Sequence, residues 1–162
     1  MKKITIISVV VIAAVILSVL IYTNSRGKAI EQDFASLESF SGSVEIFKSS
    51  SCGCCGIYAD YVNRNGLDVN INTVGDTSIV KSEFNIPSNM QSCHTSVYGD
   101  YYVEGHVPLE AVAKLLEEQP DIAGIAMPGM PPGSPGMPGP KRGDFVVYAV
   151  NHDGSTEEFM RV

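Results

Sequence analysis

Ser43-Val44-Glu45-Ile46-Phe47-Lys48-Ser49-Ser50-Ser51-Cys52-Gly53-Cys54-Cys55-Gly56-Ile57-Tyr58-Ala59-Asp60-Tyr61-Val62 is the stretch on which the fold reading turns. Ser43 to Lys48 alternates and predicts a strand. Ser49 to Gly53 forms a polar loop. Ile57, Tyr58, Tyr61 and Val62 then recur at helical spacing, and Gly66 fits the residue just past a helix end. Three of the four cysteines therefore sit where a strand hands over to a helix. Free N–H groups and the helix dipole at such a terminus favour a thiolate, which is both a nucleophile and a soft-metal ligand.

Reading outward, Val69, Ile71 and Thr73 alternate as a second strand. Asp76 or Thr77 can cap a short helix carrying Ile79, Val80 and Phe84, which ends before Pro87. Thr95–Tyr98 and Tyr101–Glu104 flank Gly99-Asp100 as a hairpin. Pro108 suits the start of a helix with an apolar stripe of Leu109, Val112, Leu115 and Leu116. Phe145 to Val150 and Glu157 to Val162 predict a second hairpin around His152-Asp153-Gly154-Ser155, where His152 is exposed turn chemistry. The expected order is β-α-β, a helix, β-β, α and an added C-terminal hairpin. With the cysteines at the first strand-to-helix junction, this is an α/β, thioredoxin-like domain over residues 43–162.

The N-terminus predicts a different environment. Ile4 to Tyr22 carries no charge and follows Lys2 and Lys3. As a helix it would run roughly 28 Å, about one hydrocarbon core. The positive-inside rule places its start in the cytoplasm and the rest outside. No small-residue cleavage site follows. The expectation is thus a signal anchor or transmembrane segment over 1–28 and a tether over 29–42. The bulk of the chain would then be exported and held to the membrane by an uncleaved helix, or be soluble after cleavage. Either way the globular part meets an oxidising space.

Composition bounds the partners. The formal charge is -7, and beyond residue 28 there are 7 basic and 18 acidic side chains, or -11. That balance excludes a nucleic-acid binder, which needs a clustered cationic face. A chain that is 44% hydrophobic and 18% charged is not intrinsically disordered.

Cys52 and Cys55 have the spacing of a redox dithiol, whereas three thiolates facing one point suit a soft cation such as Cu(I). A thioredoxin-like fold normally places a cis-proline loop against its cysteine pair. Here that loop reads Ser92-Cys93-His94-Thr95, so a fourth thiol and an imidazole stand in its place. Cys54 favours metal, because a third thiol beside a redox pair would scramble it. Zinc prefers two separated Cys-x-x-Cys pairs and fits this pattern poorly. A purely structural role for disulfides is the third reading. His94 and His106 are candidate nitrogen ligands, and Glu104 a candidate to orient an imidazole. Residues 126–140 hold six Pro, four Gly and three Met, so no helix or central strand is expected there. Met127, Met130 and Met137 carry soft thioethers and predict a metal-facing lid, or else packing within a linker.

Taken together, Cys52-Gly53-Cys54-Cys55-Gly56, Ser92-Cys93-His94-Thr95, Glu104-Gly105-His106-Val107-Pro108 and Met127-Pro128-Gly129-Met130-Pro131 with Gly133-Ser134-Pro135-Gly136-Met137 resemble the CopG-like metal-binding family of exported copper-resistance proteins. The resemblance spans residues 43–162. It implies a thioredoxin-like fold, a cysteine-bridged copper site on Cys52, Cys54, Cys55 and Cys93, and a role in copper tolerance of the bacterial envelope, with the chain in the periplasm, anchored to the inner membrane by the uncleaved helix or soluble there after cleavage. Copper ions, the membrane and other envelope copper-handling proteins are the partners it suggests. Sequestration, transfer and Cu(I)/Cu(II) conversion all stay open, with a Cys52/Cys55 thiol–disulfide oxidoreductase as the rival.

Overall fold

The computed structural model describes residues 12–22 and 36–162. Residues 12–22 form a helix, α1. Among the described residues no helix is long and apolar enough to cross a membrane. The expectations that rested on a membrane-spanning helix are therefore set aside: the signal anchor, the membrane partnership and the inner-membrane placement. The rest of the expected segments, 1–11 and 23–35, lies outside the described residues.

The remainder is a mixed α/β domain that resembles a thioredoxin-like core. Its elements run β1 (Ser43–Ser49), α2 (Gly53–Arg64), β2 (Asp68–Val74), α3 (Thr77–Glu83), a 3-10 turn (Ser88–Met90), β3 (His94–Tyr98), β4 (Tyr101–Glu104), α4 (Leu109–Glu118), β5 (Gly124–Ala126), β6 (Val146–Val150) and β7 (Thr156–Arg161). The seven strands among the described residues join one sheet in the order β2-β1-β3-β4-β5-β6-β7. β1 and β2 are parallel across α2, and β4 and β5 are parallel across α4, as helical crossovers require. The β3–β4 hairpin lies between these two units, with Thr95 opposite Glu104.

Local signals account for most boundaries. Gly66 follows the C-cap of α2 at φ +91. Asp76 caps α3 by accepting a 2.8 Å hydrogen bond from the Ser78 N–H. α4 buries Leu109, Ala111, Val112, Ala113 and Leu115. These pack with Val44, Ile46, Tyr58, Val62, Val103 and Ile125 into the main core. A helical turn at residues 36–39 adds Leu37 to that core, and the Ser36 hydroxyl donates to the Ala113 carbonyl.

One strand is not anticipated by the sequence. β5 is three residues long, fully buried, and links the C-terminal hairpin to the main sheet. Its last residue, Ala126, opens the Pro/Gly/Met-rich segment, where no central strand was expected. A three-residue strand buried on both faces has no alternation to betray it.

Candidate metal centre

Cys52 is the N-cap of α2, in extended conformation and without a side-chain cap. Cys54 and Cys55 follow in the first turn, where backbone N–H groups have no helical partner. Cys52 and Cys55 form a disulfide with Cα atoms 5.4 Å apart, while Cys54 and Cys93 are free thiols. Cys54 Sγ lies 3.6 Å from Cys52 Sγ. Cys93 ends the loop before β3, and Cys55 Sγ is 3.9 Å from its carbonyl oxygen. One ligand atom from each of Cys52, Cys54, Cys55 and Cys93 falls within 4.8 Å of the others. Cys55, Cys93, His94 and His106 form a second, overlapping group within the same limit.

The two histidines arrive on neighbouring strands. His94 opens β3, opposite Lys48 of β1, and His106 follows the end of β4. Both are fully buried. Their rings stand 4.8 Å apart, nearly perpendicular, and Tyr58 of α2 packs against both at 4.6 and 5.6 Å. The Tyr58 hydroxyl donates to the Val107 carbonyl, which fixes that aromatic wall. Cys93 Sγ sits 3.4 Å from His94 Nδ1 and 3.0 Å from His106 Nε2.

The electrostatics favour neutral donors. Burial pushes the Cys93 thiol up to about 11, and neighbouring Cys54 adds to the rise. Burial lowers His94 to about 3, helped by His106 and Lys81. Burial also lowers His106, against the opposing effect of the Pro135 carbonyl. Hence Cys93 is a thiol and both imidazoles are uncharged at neutral pH, unlike the thiolate that the helix terminus favours. His94 Nε2 is buried with no hydrogen-bond partner. His94 faces Cys93 through its other ring nitrogen, Nδ1, and shares with Cys55, Cys93 and His106 a set of donor atoms within 4.8 Å that suits a metal ion.

The Pro-rich loop comes down on this centre through backbone. Pro135 oxygen lies 2.6 Å from His106 Nδ1. At Gly136 (φ +81) an added Cβ would lie 2.9 Å from both the Cys54 oxygen and the Tyr58 nitrogen, and 3.2 Å from His106 Nδ1. The three methionines are placed differently from one another. Met127 is buried in the hydrophobic core, and Met130 is half exposed. Met137 shares with Cys54, Ile57, Gly136 and Pro138 an open depression of about 460 Å³. Glu104 makes no hydrogen bond to an imidazole. It pairs with Lys81 and accepts from the Ser92 N–H and the Thr95 hydroxyl. His152 lies on the surface beside Asp121, as expected of a turn.

Comparison with solved structures decides the family. A structure titled "Copper resistance protein copG- Form 1" is 36% identical, covers 74% of this chain and 96% of its own, and superposes with a TM-score of 0.68. A second, "Copper resistance protein copG- Form 2", is 36% identical with a TM-score of 0.69, over 74% and 97% of the two chains. The chain belongs to the CopG-like copper-resistance family. A family model described as "Protein of unknown function, DUF411" matches residues 90–137, which hold Cys93, both buried histidines and the Met-rich loop. No curated protein matches. This CopG-like chain therefore carries a clustered cysteine/histidine centre able to hold a metal ion or to do redox chemistry.

Tyr58, Lys81 and the backbone of Pro135 and Gly136 at this centre were not singled out as site residues from the sequence. Tyr58 reads as one member of an apolar helical stripe. A carbonyl that orients an imidazole leaves no mark in composition.

Proposed function

We propose that the protein binds copper as Cu(I), on Cys52, Cys54, Cys55 and Cys93 with His94 and His106 as nitrogen donors, and so sequesters, transfers or redox-converts it in copper tolerance. The observation that carries this reading is the pair of overlapping donor groups, four cysteines in one and Cys55, Cys93, His94 and His106 in the other, each with its ligand atoms within 4.8 Å of one another. Thiolates are soft donors that bridge Cu(I) readily, and more sulfur is gathered than one two-coordinate ion uses. Reduction of the Cys52–Cys55 disulfide supplies two of the four thiols. Conversely, two Cu(II) ions taking one electron each from the Cys52/Cys55 dithiol become two Cu(I), with one S–S bond formed and two protons released. Met137 is the methionine best placed to add a thioether beside Cys54. Met127 and Met130 take packing and surface roles in this reading.

The test is titration of the dithiol-reduced chain against a colorimetric Cu(I) chelator without oxygen. More than one Cu(I) per chain is expected. Saturation at one or fewer rejects a multinuclear site, and tight stoichiometric zinc rejects copper.

The Cys52–Cys55 disulfide favours a second reading, a thiol–disulfide oxidoreductase. The free thiol of Cys54, 3.6 Å from Cys52 Sγ, weighs against it, because it offers an internal competitor for the disulfide. Copper tolerance retained by Cys54→Ser, but lost together with insulin-reducing activity in Cys55→Ser, would establish the dithiol role.

A further inference from the structure

Glu104 and Lys81 form an ion pair in which the two residues are 0% and 4% exposed. A buried pair of this kind is weak evidence of stabilisation, since a well-packed apolar pair of similar volume usually does as well. The hydrogen bonds of the carboxylate suggest what it does instead. Glu104 Oε1 accepts from the Ser92 N–H at 2.6 Å, and Oε2 accepts from the Thr95 hydroxyl at 2.6 Å. Lys81 Nζ also reaches Thr95 Oγ1, at 3.4 Å. One carboxylate therefore grips both sides of the dipeptide Cys93-His94. It does so from β4, two residues before His106. The Ser92 hydroxyl, on the same grip, donates to the Gly129 carbonyl of the Pro-rich loop.

We propose that the Glu104–Lys81 pair is a positioning device for the metal centre: it clamps Ser92 and Thr95 so that the Cys93 sulfur and the His94 ring are held against His106 and the cysteines of α2. This deepens the copper reading and rests on it for its purpose. No proline performs the task here, and the described residues contain no cis peptide bond. Lys81 neutralises a carboxylate that could not otherwise stay buried and charged. The carboxylate supplies two acceptor oxygens on one rigid group, which no apolar residue can.

The test uses the full chain, reduced and metal-free, and maps alkylation of Cys93 and Cys54 by mass spectrometry in the same molecules. Lys81→Met with Glu104→Leu removes the clamp without leaving a buried charge. The ratio of Cys93 to Cys54 alkylation is expected to rise about tenfold, the effect of losing hydrogen bonds to a charged acceptor. Copper release to a chelator should accelerate in step. Lys81→Met with Glu104→Gln, which keeps an oxygen for the Ser92 N–H, should bring the ratio back toward wild type. General loosening would raise both cysteines together and leave the ratio unmoved. A folded Leu variant with an unchanged ratio overturns the proposal. If that variant does not fold, Thr95→Val, which removes one donor at nearly constant shape, decides: a rise of about threefold supports the clamp, and no rise overturns it. If the wild type takes up no copper, the copper reading falls while the alkylation ratio still judges the clamp.

Discussion

Cys93 Sγ stands 3.0 Å from His106 Nε2. The other ring nitrogen of His106 lies 2.6 Å from the Pro135 oxygen, a carbonyl that can only accept. Nδ1 therefore carries the hydrogen, and Nε2 turns its lone pair toward the thiol. A main-chain carbonyl 29 residues downstream sets the tautomer of a candidate ligand.

Gly136 makes that arrangement possible, and Gly136→Ala should disturb it. A Cβ there would press on backbone at Cys54 and Tyr58 and demand a left-handed conformation from alanine. A stability loss of about 1–3 kcal/mol is expected in denaturant melts. Copper release should also quicken, because the Pro135 carbonyl is pushed off His106. A variant with wild-type stability and release would mean that the loop adjusts freely.

Metal loading should release protons. Cys93 holds its proton to about pH 11 in the metal-free protein, since burial disfavours the thiolate. A metal that binds this sulfur must expel that proton near neutral pH. Apparent affinity should therefore climb as pH rises from 6 to 9, by up to about tenfold per unit for each proton displaced. Calorimetry in buffers of different ionisation enthalpy counts the protons, and a pH-independent affinity would remove Cys93 from the ligand set.

Acid should weaken the metal-free fold. His94 is lowered to about 3 by burial, with His106 and Lys81 adding to the fall, while an unfolded His titrates near 6.5. Above 6.5 both states are neutral and nothing is lost. Below it the unfolded chain takes a proton that native His94 refuses, so stability declines as pH falls from about 6.5 toward 3. The slope attributable to one such group is at most about 1.4 kcal/mol per pH unit. His106, also lowered, acts in the same direction. Urea melts on wild type and His94→Gln between pH 7 and 5 measure the difference, and parallel profiles would refute a buried neutral His94.

The methionines should separate by position. Met127→Ala opens a cavity in the core and is expected to cost about 2–5 kcal/mol. Met130→Leu, half exposed, should change little. Met137→Leu keeps the apolar wall beside Cys54 but removes its sulfur. Copper release should quicken for Met137→Leu alone, with fewer sulfur neighbours in X-ray absorption spectra. Identical release from Met130→Leu and Met137→Leu would assign both to packing.

Much of the fold is legible in local pattern. Ser43–Lys48 alternates, Ile57 to Val62 repeats at helical spacing, Gly66 and Asp76 mark helix ends, and Gly99-Asp100 turns a hairpin; each signal lies within a few residues of the element it specifies. The Cys52–Cys55 cluster at a strand-to-helix junction points to soft-metal or redox chemistry for the same reason, since helix termini orient side chains locally. The long apolar run at the N-terminus is a case where pattern misled, for among the described residues no helix is long and apolar enough to cross a membrane.

The sequence by itself determined the order of most elements and the chemical character of the centre. Hydrophobic period, capping residues and thiols act over one or two turns of chain. Tertiary structure alone decided the rest. Cys54, Cys93, His106 and Pro135 are 13 or more residues apart, and only the pairing of β1, β3 and β4, with Tyr58 of α2 packed against both histidines, brings them together. β5 exists because a sheet edge was ready to receive three apolar residues. The sequence marks Glu104 only as a candidate to orient an imidazole and gives Lys81 no role, yet the fold buries both as a pair. They found each other across 23 residues because burial leaves a carboxylate no partner but the cation and donors folded against it.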